Sequence, residues 1–102
     1  MEQLPLSLIN TIPPLYGQDG KGSNALAFVK LFTPDSNWTW YITELDPEEG
    51  LCFGLICGFE KELGYFSLNE IEQIKGPMGL KVERDISFRP TKLKDLGFDY
   101  GN

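Results

Sequence analysis

An α+β fold is predicted: an antiparallel meander sheet of four to five strands, one capped helix over residues 67–75 and short terminal helices. Three observations predict it. Runs rich in β-branched and aromatic residues recur between Ala25 and Leu68, clusters of Pro, Asp, Asn and Gly interrupt them, and a helix-start signature follows the last run. The 102 residues make one domain of ordinary size, long enough to bury about two-thirds of the unfolded surface. Residues 1–24 read as a helix and a flexible loop, and residues 25–96 as the sheet-and-helix body.

Pro5 to Ile12 reads as a short helix. Pro5 suits a first helical position, Leu4, Leu8 and Ile12 repeat every four residues, and Pro13-Pro14 end it. The polar, glycine-rich stretch "YGQDGKGSN", Tyr16 to Asn24, has no periodicity and reads as a mobile loop. Four strands follow. "ALAFVKLF" (Ala25–Phe32) is separated by Pro34-Asp35-Ser36-Asn37 from "WTWYITEL" (Trp38–Leu45). Asp46-Pro47-Glu48-Glu49-Gly50 leads to "LCFGLICGF" (Leu51–Phe59), and Glu60-Lys61-Glu62 to "LGYFSL" (Leu63–Leu68). Connections this short favour antiparallel neighbours.

Placing Thr33 opposite Trp38 and Leu45 opposite Leu51 sets a register. One face then carries Val29, Leu31, Trp38, Trp40, Ile42, Gly54, Ile56 and Gly58, with Glu44 on the tryptophans' side. Trp38 falls opposite Gly58 and Ile42 opposite Gly54, so a large side chain covers each glycine. The other face carries Phe28, Lys30, Phe32, Tyr41, Phe53, Leu55 and Phe59. Both faces are apolar and need cover, and a one-residue slip would exchange them.

Next, Ser67 and Glu70 have the spacing of a capping box, and Phe66 and Ile71 that of a hydrophobic staple. Leu68, Ile71 and Ile74 form the apolar stripe of this helix, which Gly76-Pro77 ends. "VERDISF" alternates Val82, Ile86 and Phe88 with Glu83, Asp85 and Ser87, as a fifth, half-exposed strand does. Arg84 falls on its apolar side, which requires an edge or a carboxylate partner. A short terminal turn or helix carries Leu93 and Leu96.

Charge is uneven along the chain. The net charge is −6, yet Leu31 to Ile74 holds nine acids and one base (−8), whereas Lys75 to Lys94 holds six bases and two acids (+4). An acidic body argues for a basic protein partner and against direct binding of nucleic acid, which needs a basic footprint. The basic stretch contributes a patch of Arg84, Arg89 and Lys92, read as pairing with the acidic body. No apolar run is long enough for a signal or membrane helix, and a membrane association is not expected. Cys52 and Cys57 lie five apart in one strand and point to opposite faces, so they read as free thiols of a cytoplasmic protein.

Chemistry is narrowed by what the chain lacks. With no histidine, serine–histidine and cysteine–histidine catalysis fall away, and two cysteines do not make an ordinary zinc site. No phosphate loop or dinucleotide fingerprint occurs. No catalytic residue, metal ligand or cofactor is therefore assigned. The candidate partner-binding residues are Trp38, Trp40, Tyr41, Glu44, Asp46, Glu48 and Glu49, an aromatic strand that runs into an acidic turn.

The succession "VKLFTPD", "WTWYITELDPEE", "FGL", "ELGYFSLNEIE" and "KGPMGLKVERDISFRPTKL" resembles the domain of unknown function 2958 family over Phe28 to Leu96. These are small bacterial proteins often encoded on plasmids and other mobile elements. The resemblance implies no activity, cofactor or catalytic residue; it implies an accessory gene product of the bacterial cytoplasm. The leading expectation is thus a non-enzymatic binding protein with an acidic interaction surface that mimics nucleic acid toward a basic partner. One alternative is a divalent-metal-dependent hydrolase using Glu44 and Asp46 as ligand or acid–base pair, with Trp38 and Trp40 as platform. Another is a structural homodimer built on an uncovered sheet face.

Overall fold

In the computed structural model, which describes residues 4–98, four strands pair in chain order as the turn chemistry requires. Met1 and Glu2 lie outside the described residues. β2 (Val29–Phe32), β3 (Thr39–Asp46), β4 (Leu51–Cys57) and β5 (Lys61–Ser67) form the antiparallel meander. Beyond β2, β6 (Glu83–Arg84) adds a fifth, two-residue strand. β1 (Leu26–Ala27) leaves this sheet and pairs with β7 (Thr91–Lys92), so the expected first strand is broken at Phe28.

The expected register holds along the first hairpin. Val29 faces Ile42 and Leu31 faces Trp40, and the Thr33 amide donates to the Trp38 carbonyl at 3.0 Å. In the second hairpin it holds only as far as Ile42 opposite Gly54. An irregularity between Ile42 and Glu44 then shifts the pairing, so Leu45 faces Cys52 and not Leu51. Thr43 is the extra residue of this bulge, and its hydroxyl donates to the Phe53 carbonyl at 2.9 Å. Leu45 thereby joins the tryptophans' face, and Glu44 passes to the opposite one beside Phe53. The expectation that Glu44 shares the tryptophans' face is corrected.

Both faces are covered. Under the tryptophans' face, Leu4 and Ile12 from the N-terminal segment and Leu68 and Ile71 from α2 (Leu68–Gln73) pack with Leu31, Trp40 and Ile42. On the other face, Ala27 of β1 and Leu93 of the 3-10 helix Leu93–Leu96 cover Leu55, with Tyr41 and Phe88 alongside. Cys52 and Cys57 fall in these two separate clusters, both as free thiols. Trp38 stands over Gly58, where a methyl group would run into the indole. Phe59 belongs to this side too, edge-on to Trp38 at 5.7 Å, and not to the Tyr41 face.

The helices and the last expected strand are shorter than the patterns suggested, whereas β5 begins earlier, at Lys61 within the expected turn. α1 spans Leu6–Ile9, with Pro5 just before it in extended conformation. α2 is capped by Ser67, whose Oγ accepts from the amides of Asn69 and Glu70 at 3.1 and 3.4 Å. Ser67→Ala is expected to cost about 1 kcal/mol, the usual worth of an N-cap, measured by urea denaturation. "VERDISF" is not one strand. Its pairing stops after Arg84, because the Asp85 side chain accepts from Ser87 N and its carbonyl from Phe88 N, which turns the chain. Val82 is therefore buried with the tryptophans, Phe88 sits against Tyr41, and Ile86 is 80% exposed. Among the described residues no helix is long and apolar enough to cross a membrane.

Candidate functional site

The segment Tyr16 to Asn24, expected as a loop, is a run of turns closed by the 3-10 helix Gly22–Asn24. Two side chains tie it to the sheet. Gln18, buried, donates from Nε2 to the carbonyls of Leu26 and Thr43 and accepts the Leu26 amide, which uses its whole amide group. Glu44 accepts the backbone amide of Tyr16 on Oε1 at 2.7 Å and that of Gln18 on Oε2 at 2.8 Å. Tyr16 takes φ +69°, the one positive φ outside glycine among the described residues.

Glu44, Phe53 and Tyr65 stand directly opposite one another across β3, β4 and β5. The Phe53 and Tyr65 rings meet edge-to-face at 4.9 Å. Tyr16 is held by its amide at Glu44, with its side chain near Tyr65. Hydrogen bonding with the Tyr16 side chain foremost, then burial and the nearby Tyr16, Glu44 and Asp19, raises the Tyr65 hydroxyl above its ordinary pKa. Together these groups frame a recess of about 350 Å³ that Asp19, Gln18 and Leu63 also line. Its described lining contains two carboxylates and no lysine or arginine. Glu44 is only 6% exposed, so this charge is held by oriented backbone amides.

The residues singled out in the sequence divide over three places. Trp40 is core, and Trp38 is half-buried, stacked on it at 6.0 Å. Both lie on the face opposite Glu44, so the tryptophans are no platform for Glu44 chemistry. Tyr41 packs against Phe88 at 5.7 Å, and burial foremost raises its hydroxyl. Asp46 caps the turn, accepting from Glu48 N at 3.1 Å, and does not line the recess. The expected Glu44–Asp46 pair is thus two carboxylates with separate backbone partners. Burial pushes the Cys52 thiol up to about 12, and it raises Cys57 also, with Lys61 opposing.

The turn that carries Asp46, Glu48 and Glu49 lies beside a helix with further acids. The Leu68 amide donates to the Gly50 carbonyl at 2.9 Å, which seats the start of α2 on the β3–β4 turn. Glu70 and Glu72, both exposed, are carried by the helix that this bond sets beside the turn. The basic residues part company. Arg84 is in β6 beside β2, Lys92 is in β7 beside β1, and Arg89 lies in the connection between them. Arg84 Nε is buried without a hydrogen-bond partner, and the ion pair near this stretch is Lys30–Asp85 at 4.0 Å.

Sequence reading missed Tyr16, Gln18, Asp19, Phe53 and Tyr65. One signal was present: apolar Ile42 and Leu45 are three apart, an offset that a regular strand cannot place on one face. That break announces a bulge and turns Glu44 over. A family model described as "Protein of unknown function (DUF2958)" matches residues 15–97. No curated protein and no solved structure matches the chain.

Proposed function

The chain belongs to the DUF2958 family, and from that premise we propose that it is a non-enzymatic accessory protein that binds a basic protein partner in the bacterial cytoplasm. The observation that supports this reading is the acidic end, where the turn bearing Asp46, Glu48 and Glu49 lies beside α2, which bears exposed Glu70 and Glu72. Five carboxylates on a turn and the helix next to it give this end a negative charge, the sign that nucleic-acid phosphates present to a basic partner. Such a surface steers a basic partner at long range and is screened by salt. A gene product of a mobile element fits this role, because the basic surfaces of replication and defence proteins evolved to hold phosphates.

Reversal of all five acids to lysine tests the reading, with a thermal melt by circular dichroism to check that the fold survives loss of the Asp46 turn bond. Immobilised protein is expected to retain basic proteins from a bacterial lysate at low salt, and heparin to displace them. The five-fold reversed variant is expected to retain none of that set. Capture that survives the reversal would remove the basis of the proposal.

A further inference from the structure

We infer that the recess framed by Tyr16, Phe53 and Tyr65 binds a guanidinium group, the head of an arginine side chain on a protein partner. This rests on the reading of a basic partner, and it assigns the recess a role separate from that of the acidic end. At about 350 Å³ the recess falls in the size range of small-ligand sites, roughly 300–1,000 Å³. Its composition selects charge sign: two carboxylates and three aromatic rings, with no basic side chain among the described lining residues, repel an anion and attract a cation.

The arrangement is also preorganised. Each Glu44 oxygen already accepts one backbone amide, so the carboxylate is fixed in orientation while lone pairs remain for a further donor. Tyr65 is braced on Phe53 and the Tyr16 backbone is held at Glu44, so the walls of the recess lose less freedom on binding than unanchored side chains would. Burial of Glu44 lowers the local dielectric and strengthens its attraction for a cation beyond that of a surface acid.

Among cations the chemistry favours guanidinium. It is planar, weakly hydrated, stacks on aromatic faces and donates in several directions, matching rings that alternate with carboxylate and hydroxyl acceptors. A quaternary ammonium would leave those acceptors unused. A metal ion is a poorer match, because the described residues hold no group of three or more acids or cysteines spaced to coordinate one.

The test is an NMR titration of the full chain with N-acetyl-arginine methylamide, with N-acetyl-lysine methylamide and tetramethylammonium in parallel. Saturable shifts are expected at the Tyr16, Gln18 and Tyr65 amides, larger with the arginine probe than with the others. Loss of one ring in Tyr65→Leu is expected to weaken binding about two- to fivefold. Because Tyr65 braces Phe53, exposed Asp19→Asn provides a second variant, expected to weaken binding without loosening the fold. The five-acid reversal of the acidic end is expected to leave the titration unchanged. Absence of saturable shifts, tetramethylammonium binding as tightly as the arginine probe, or wild-type affinity in both recess variants would each overturn the inference. Shifts confined to the Asp46–Gly50 turn and α2 would overturn it too, while supporting the acidic end. If instead the recess titrates but lysate capture survives reversal, the acidic-end reading fails and the recess stands.

Discussion

Gly54→Ala is expected to lower the melting temperature by about 12–24 °C, which corresponds to a loss of about 3 kcal/mol in a domain of this size. A methyl group at Gly54 would fall on the backbone carbonyl of Tyr41 and on the Cα of Ile42. Backbone does not swing aside as a side-chain end does, so β3 and β4 would have to part at the bulge. The loss would approach half the stability of a marginal domain. Gly64, paired directly with Gly54 on the next strand, provides the contrast. A methyl group there would meet only the Ile56 Cδ1 at 3.5 Å, an ordinary contact. Gly64→Ala is therefore expected to leave the melting temperature unchanged or to raise it by a few degrees, because alanine loses less chain entropy on folding. Thermal unfolding followed by circular dichroism measures both, and equal melting temperatures for the two variants would contradict the close approach at the bulge.

Glu44→Leu is expected to cost about 2–4 kcal/mol, although it replaces a charge with an apolar group in a buried position. The cost comes from the Tyr16 and Gln18 amides, which lose their acceptors; each buried, unsatisfied donor costs about 1–3 kcal/mol. Glu44→Gln keeps one acceptor oxygen and is expected to lose about half as much. The effect is local first. Segment 16–24 is held at Glu44 and through Gln18, so trypsin is expected to cleave after Lys21 faster in the leucine variant while the sheet still resists. Urea denaturation combined with limited proteolysis separates this local opening from global unfolding. A leucine variant with wild-type stability and unaltered cleavage would show that Glu44 does not anchor the segment.

How much was legible follows from the range over which each feature is set. The four meander strands, their order and the Trp38–Gly58 and Ile42–Gly54 pairings came from alternation and turn chemistry, which act over a few residues. α2 likewise followed from Ser67 at its cap and from Phe66 and Ile71, which are buried together beneath the tryptophans' face. The boundary of β6 was misread because a side chain bonded nearby backbone. Asp85 ended β6 early in this way, and the reading of Val82, Ile86 and Phe88 as one face failed with it.

By itself, the sequence determined the fold class, the meander, the acidic turn and the absence of histidine chemistry. All of these depend on residue identity and on spacing between near neighbours. Only the tertiary structure decided the site. The bulge at Thr43 set which face Glu44 occupies, and the amides of Tyr16 and Gln18, more than twenty residues away, set what it holds. Tyr65 entered through cross-strand register, and one backbone hydrogen bond at Gly50 set α2, with Glu70 and Glu72, beside the acidic turn. The physical reason is that a buried carboxylate takes its meaning from its donors, and donors contributed by distant backbone leave no pattern in the residues around it.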